Sequence, residues 1–251
     1  MDQPRGKVPA ADATLAILTL LARHTRPVAA ARIAAGLGLP RSTTYDLLGT
    51  LVARGFVIHY EYERAYGLGV AAYELSSAYT RQAPLAILGR RAADRLVEQL
   101  GESVHVAVLH ARDVLYVVEA RAPGRPSLVT DVGVRLPAHL TATGRALLAA
   151  LPDAQLRALY DGVRELEVRP GFDSTLGYSV ARVLAEAKET RARGHAIEEG
   201  EVTPGLSSVA VAVLDRAGWP IASIAITYPS EGSVALDELA GAAEGLRQAL
   251  A

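Results

Sequence analysis

Between Leu51 and Phe56 the spacing of apolar residues changes from threes and fours to twos, and this change constrains the N-terminal fold more than any other feature. Upstream, Thr44, Leu47, Leu48 and Leu51 fall at i, i+3, i+4 and i+7, the buried face of a helix that begins at Ser42. Before it, AAARIAAGL (29–37) reads as a second short helix, stopped by Gly36 and Gly38. Leu15, Leu18 and Ala22, with Ile17 and Leu21 beside them, give a first helical stripe ending near His24. Residues 2–9, DQPRGKVP, read as a loose tail. Downstream, FVIHYEYERAYGLG (56–69) is aromatic and β-branched around a polar centre, which predicts two short strands joined by a turn. Three helices followed by a hairpin make a winged helix-turn-helix over residues 1–69, with the hairpin as the wing.

Residues 70–84 read as a linker helix ended by Pro84, and a further helix begins near Leu85. Residues 85–251 as a whole read as an α+β domain. VHVAVLH (104–110), VLYVVEA (114–120) and SLVTDV (127–132) predict strands, TGRALLAAL (143–151) and VARVLAEAKETRARG (180–194) helices. HAIEEGEV, LSSVAVAVLD and PIASIAITY predict three more strands, and the last sixteen residues a closing helix. The expected architecture is an antiparallel sheet flanked by helices.

Charge divides along the same boundary. Residues 1–68 hold 8 Lys+Arg against 5 Asp+Glu, whereas residues 69–251 hold 18 against 22. A basic head on an acidic body suits binding of a polyanion by the head. The absence of cysteine excludes a disulfide framework, a thiolate metal site and a cysteine nucleophile, and it fits a cytoplasmic protein. ATLAILTLLA (13–22) is apolar, but Asp12 interrupts its approach and ARHTRP follows where a signal peptide needs small residues. No run nears the length of a membrane span, so no membrane partner is expected.

Burying one face of the third helix turns Ser42, Thr43, Tyr45, Asp46 and Thr50 outward. Hydroxyls and free amides at a helix N-terminus suit phosphates and base edges. Arg41, just before the helix, is a candidate phosphate contact, and His59 and Arg64 of the wing are candidate phosphate or minor-groove contacts. The alternative is that Ser42 only caps the helix and the hydroxyls are a solvated face. Asp46 has three readings: acceptor from a cytosine amine, partner of an arginine such as Arg41, or solvated edge. The second is favoured.

Catalytic signatures are missing. LSSVA is not a G-x-S-x-G nucleophile elbow, since no second glycine follows at the required spacing. The six histidines show no H-E-x-x-H and no ligand cluster, and His105 and His110 are expected on opposite strand faces. Glu198 and Glu199 likewise point apart. No catalytic residue, metal or cofactor is assigned, and a non-enzyme is expected.

The order of ARIAAGLGLPRSTTYDLLGTLVARGFV, a wing ending in YGLG, LPAHLTATGRALLAAL and RARGHAIEEGEVTPGLSSVAVAVLDRAGWPIASIAITYP resembles the IclR family of bacterial transcriptional regulators. The resemblance runs from about Ala11 to the C-terminus. It implies an N-terminal winged helix-turn-helix, a linker helix and a C-terminal effector-binding domain of GAF-like fold. It also implies homodimers, often paired into tetramers, on palindromic double-stranded operators, with small organic or aromatic acids as effectors and repression of a catabolic pathway as the expected role.

By the same resemblance, an effector carboxylate would meet the backbone amides of Ala142 and Thr143. Glu198, Ser208, Ala225 and Thr227 would line the rest of the pocket. Relatives often carry cysteine where Ser208 stands and serine at Ala225, which implies a larger, more apolar acid here. They commonly carry a base where Asp46 stands, which implies a different operator preference. Two rival readings stay open: a sensor whose winged helix grips protein, and a serine-dependent enzyme.

Overall fold

A computed structural model gives the fold and describes residues 8–82, 84–126, 128, 130–164, 166, 179–232 and 235–250. The chain forms two compact units, residues 1–82 and 83–251.

In the first unit α1 (Pro9–Ala22), α2 (Ala30–Leu37) and α3 (Arg41–Ala53) precede a hairpin of β2 (Val57–Tyr60) and β3 (Ala65–Leu68), and α4 (Val70–Gln82) follows. The helices meet in one core in which Ile17, Ile33 and Leu48 are wholly buried; on α1 the buried stripe is Ala13, Ile17 and Leu21, and Leu15 and Ala22 of the expected stripe are exposed. Burial of each such side chain is worth about 1.5–3 kcal/mol. A two-residue strand, β1 (Val28–Ala29), pairs with β3, giving the sheet order β1-β3-β2. It is too short to leave a periodic signal in the sequence.

Three boundaries differ from the sequence expectation. Pro9 opens α1, so the helix reaches into the segment read as tail; residues 1–7 lie outside the described residues. Gly36 lies inside α2, and only Gly38, at φ 63°, ends it in the left-handed conformation that glycine adopts without strain. Helix α3 begins at Arg41, with Pro40 as its extended leading residue. Ser42 is therefore inside the first turn and caps nothing.

The second unit is built on α5 (Pro84–Leu100), β4 (Ser103–His110), β5 (Asp113–Ala120), β6 (Arg135–Pro137), α6 (Ala142–Ala150), α7 (Asp153–Leu159), α8 (Val180–Arg193), β7 (Ala196–Glu199), β8 (Leu206–Leu214), β9 (Pro220–Pro229) and α9 (Leu236–Leu250). The strands form one antiparallel sheet in the order β6-β5-β4-β9-β8-β7. Successive side chains of a strand point to opposite faces, and the two faces differ in character. Val104, Val106, Val209, Ile224 and Ile226 form an apolar face under α5 and α9. On the other face Ala196, Ala210 and Ala225 stand side by side in register and pack against Ala142 and Ala146 of α6. These small residues let α6 lie close to the sheet.

Gly144 carries that approach further. A Cβ at this position would lie 2.1 Å from the carbonyl oxygen of Ala138, so only glycine fits.

The strand expected over residues 127–132 is not found. Ser127 and Val129 lie outside the described residues, and Leu128, Thr130, Asp131 and Val132 are not in a strand. The third strand of this sheet half is β6, paired with β5. The seven-residue α7 left no usable periodicity in the sequence.

Candidate functional site

Each unit presents one feature suited to binding. On α3, Thr44, Leu48 and Leu51 are buried, and Arg41, Ser42, Thr43, Tyr45, Asp46 and Thr50 are all exposed along the opposite side. The Thr44 hydroxyl donates to the Pro40 carbonyl at 3.0 Å and fixes the start of the helix. The Thr50 hydroxyl donates to the Asp46 carbonyl at 3.0 Å and keeps its lone pairs outward.

No ion pair joins Arg41 to Asp46 among the described residues, which corrects the favoured sequence reading. Five positions apart on a helix, the two side chains diverge by roughly 140°. In the wing, His59 stacks on Tyr66 with ring centroids 4.5 Å apart. Arg64 sits at φ 48° in the exposed turn between β2 and β3, with its amide on the Glu61 carbonyl.

The second unit holds a cleft between the N-terminus of α6 and the sheet, with about 390 Å³ of space counting its mouth. Its floor is set by strand register. Glu198 of β7 faces Ser208 of β8, which faces Thr227 of β9. In the adjoining row on the same face, Ala225 of β9 faces His105 of β4. Ser208 and Thr227 share a hydrogen bond of 3.0 Å.

Above this floor, Thr141 caps α6 by accepting from the Gly144 amide at 3.0 Å. The first amides of the helix, those of Ala142 and Thr143, have no carbonyl one turn back to bond, and the helix dipole favours an anion beside them. Tyr116 Oη lies 3.2 Å from Thr143 Oγ1, which donates to Thr141 Oγ1 at 3.2 Å, so a chain of hydroxyls runs along one wall.

Burial sets the protonation of the cleft. Glu198 is buried, and one carboxylate oxygen accepts from the Val202 amide at 2.8 Å. Burial raises its pKa, the Val202 amide opposes that rise, and the nearby Glu201 carboxylate adds to it. His105 is 1% exposed, and burial lowers its pKa to about 4, so it is neutral at physiological pH. Tyr116 is pushed up to about 12, again chiefly by burial, and stays protonated.

The loop after β7 closes over the cleft through Val202 and Thr203. It is held from behind by Arg145 of α6, which donates to the carbonyls of His139 (3.0 Å) and Ile197 (2.7 Å) and to Glu201 (2.5 Å). Arg182 of α8 lies 3.7 Å from the other oxygen of Glu201.

Comparison with known proteins follows this division. Residues 10–58 match the profile described as the IclR helix-turn-helix domain, and residues 77–249 the one described as the bacterial transcriptional regulator IclR C-terminal domain. The chain belongs to the IclR family.

Among IclR relatives, it is 31% identical over 214 residues to the Pca regulon regulatory protein of Pseudomonas putida, covering 85% of this chain and 72% of that one. It is 34% identical over 214 residues to the glycerol operon regulatory protein of Streptomyces coelicolor, covering 84% and 81%. The IclR regulator of Alicyclobacillus acidocaldarius has the same fold, with a TM-score of 0.83 at 22% identity over 98% of this chain and all of that one. So has an IclR homolog of Microbacterium hydrocarbonoxydans complexed with 4-hydroxybenzoate, with a TM-score of 0.78 at 21% identity over 96% and 98%. As an IclR-family member, the chain is a ligand-responsive transcriptional regulator with a helix-turn-helix domain and an effector-binding domain.

The six residues that the IclR resemblance pointed to (Ala142, Thr143, Glu198, Ser208, Ala225 and Thr227) all line this one cleft. Glu198 and Glu199 do point apart, the first buried and the second exposed. Sequence reasoning missed His105, Tyr116, Thr130 and Thr141, which line the cleft as well. A signal for His105 was available: in SVHVAV the valines form one face of β4, leaving Ser103, His105 and Ala107 on the other.

Proposed function

We propose that the cleft is the effector site and that the outward side of α3, with the wing, is the operator-reading surface. Arg41, Ser42, Thr43, Tyr45, Asp46 and Thr50 would meet the major groove, and His59 and Arg64 the flanking backbone. The observation that carries the effector reading is the convergence of residues from α6, β7, β8 and β9 on one buried, partly polar cleft. Its amides at Ala142 and Thr143 suit a carboxylate. Ala225, Leu128, Val202 and Leu206 suit an apolar body behind it. The complex of the Microbacterium homolog with 4-hydroxybenzoate supports an aromatic acid as the occupant.

The chain acts in this reading as a cytoplasmic repressor of a catabolic operon. Residues 1–69 bind DNA, 70–84 form the linker helix and 85–251 sense the effector. A homodimer, or a pair of dimers, places two α3 helices in successive major grooves of a palindromic site. The effector acts by binding one arrangement of the two DNA-binding units better than the other. The Ser208 hydroxyl is bonded to Thr227 rather than to a histidine base, which supports binding rather than catalysis.

Three substitutions test the two surfaces. Thr43→Ala and Tyr45→Ala should each weaken operator binding roughly tenfold, about 1.4 kcal/mol, with folding and oligomeric state intact. Unchanged affinity would remove α3 from the interface. Ser208→Trp should abolish the stabilisation of the folded protein by organic acids; a normal thermal shift in this variant would move the effector elsewhere.

A further inference from the structure

The cleft has two polar ends. Glu198 stands on β7 and His105 on β4, three strand spacings apart, about 14 Å across the sheet. Between them lie hydroxyls, apolar groups and the first amides of α6, and no lysine or arginine is among the described lining residues. At the β4 end, His105 Nε2 and Thr130 Oγ1 are 2.8 Å apart, and the ring stands edge-on to Tyr116 with centroids 5.8 Å apart. The second ring nitrogen, Nδ1, has no hydrogen-bond partner among the described residues. A neutral imidazole holds one donor and one acceptor. With Nε2 engaged by Thr130, His105 keeps one polar atom unused in a buried, cleft-lining position.

We propose that His105, held by Thr130, is the specificity-determining residue of the cleft, reading a neutral hydroxyl on the effector and restricting it to monocarboxylic acids. The proposal rests on the reading of the cleft as the effector site. The carboxylate takes the α6 amides, and the distal hydroxyl takes His105. A second carboxylate has no place to go. At the β4 end it would be buried beside an uncharged imidazole, where Arg121, the cation that acts on His105, is already paired with Glu119 and Asp131. At the β7 end it would face the carboxyl of Glu198, with Glu201 close behind. Both ends accept a hydroxyl, and both reject a second negative charge.

The test uses the full chain and two series of probes: benzoate, 4-hydroxybenzoate and terephthalate, then propionate, 3-hydroxypropionate and succinate. Each series changes one substituent from hydrogen to hydroxyl to carboxylate. Calorimetric titration at pH 7 should rank the hydroxylated acid at least tenfold tighter than the unsubstituted one in whichever series fits, with the dicarboxylate weaker than both. His105→Phe should bring the ratio of hydroxylated to unsubstituted affinity close to one. His105→Gln, which keeps a donor and an acceptor, should preserve most of that ratio. Should His105→Phe not fold, Thr130→Val takes its place, with a fall in the same ratio expected. A ratio that survives His105→Phe or Thr130→Val, or a dicarboxylate bound as tightly as the hydroxylated acid, overturns the proposal while leaving the effector site standing. Failure of all six acids to bind the unaltered chain overturns both.

Discussion

A histidine that is 1% exposed and opposed by no carboxylate at hydrogen-bonding distance has one physical choice, which is to stay neutral. His105 titrates near 6.5 in an unfolded chain and at about 4 in the fold, with burial as the main cause and the Arg121 charge assisting. Between those values the unfolded state binds the extra proton. The contribution of His105 to stability is therefore complete above pH 6.5 and is lost as the pH falls toward 4. Urea unfolding should show the wild type losing about 2 kcal/mol more than His105→Gln between pH 7.5 and pH 5. Asp131 opposes the shift and Glu198 shifts in the opposite sense, so the difference between the two proteins is the quantity to compare. Equal losses would show that His105 is charged in the fold. Gly144→Ala is the steric counterpart: its methyl would meet the Ala138 carbonyl at 2.1 Å. Calorimetry should show the second unit destabilised by about 3 kcal/mol or more, while the transition of the first unit is unchanged. A transition within a degree of the wild type would mean that α6 can shift freely.

At the level of elements, the loop after β7 depends on a buried charge on the helix beneath it. Removing one member of such a pair leaves the other uncompensated, at a cost of about 3–5 kcal/mol. Arg145→Leu should therefore lose stability on that scale and loosen Val202 and Thr203 over the cleft, read as faster amide exchange in residues 200–205. Unchanged exchange would make the pair incidental to the loop. Much of this layout was legible in the sequence, for reasons that differ between elements. The α3 stripe and the wing announced themselves by a change of period that burial then enforced. Ala142, Thr143, Glu198, Ser208, Ala225 and Thr227 were reached only through the family resemblance, since nothing in their spacing brings four elements together. The strand expected at 127–132 failed because apolar alternation does not distinguish a strand from a loop whose Leu128 and Thr130 line a cleft. His105 was passed over because a lone histidine carries no motif; its role comes from the register that sets it beside Ala225. The Arg41–Asp46 pair failed on helix geometry alone.

For the whole molecule, the basic first unit and the acidic second unit predict DNA binding that weakens steeply with salt. If Arg41 contacts a phosphate, Arg41→Ala should lower the slope of log affinity against log salt by roughly one, with sequence preference retained. An unchanged slope would place Arg41 off the backbone. Linkage adds a stronger demand: an acid that changes operator affinity must have its own affinity changed by the same factor when operator is bound. The most direct test of the account measures operator affinity by fluorescence anisotropy at fixed salt. It uses DNA selected in vitro against the full chain, with and without the tightest-binding of the six acids. The wild type should change its DNA affinity when the acid is added, and Ser208→Trp should bind the same DNA while ignoring the acid. A Ser208→Trp protein that responds to the acid as fully as the wild type would contradict the assignment of the cleft as the site through which this regulator senses its ligand.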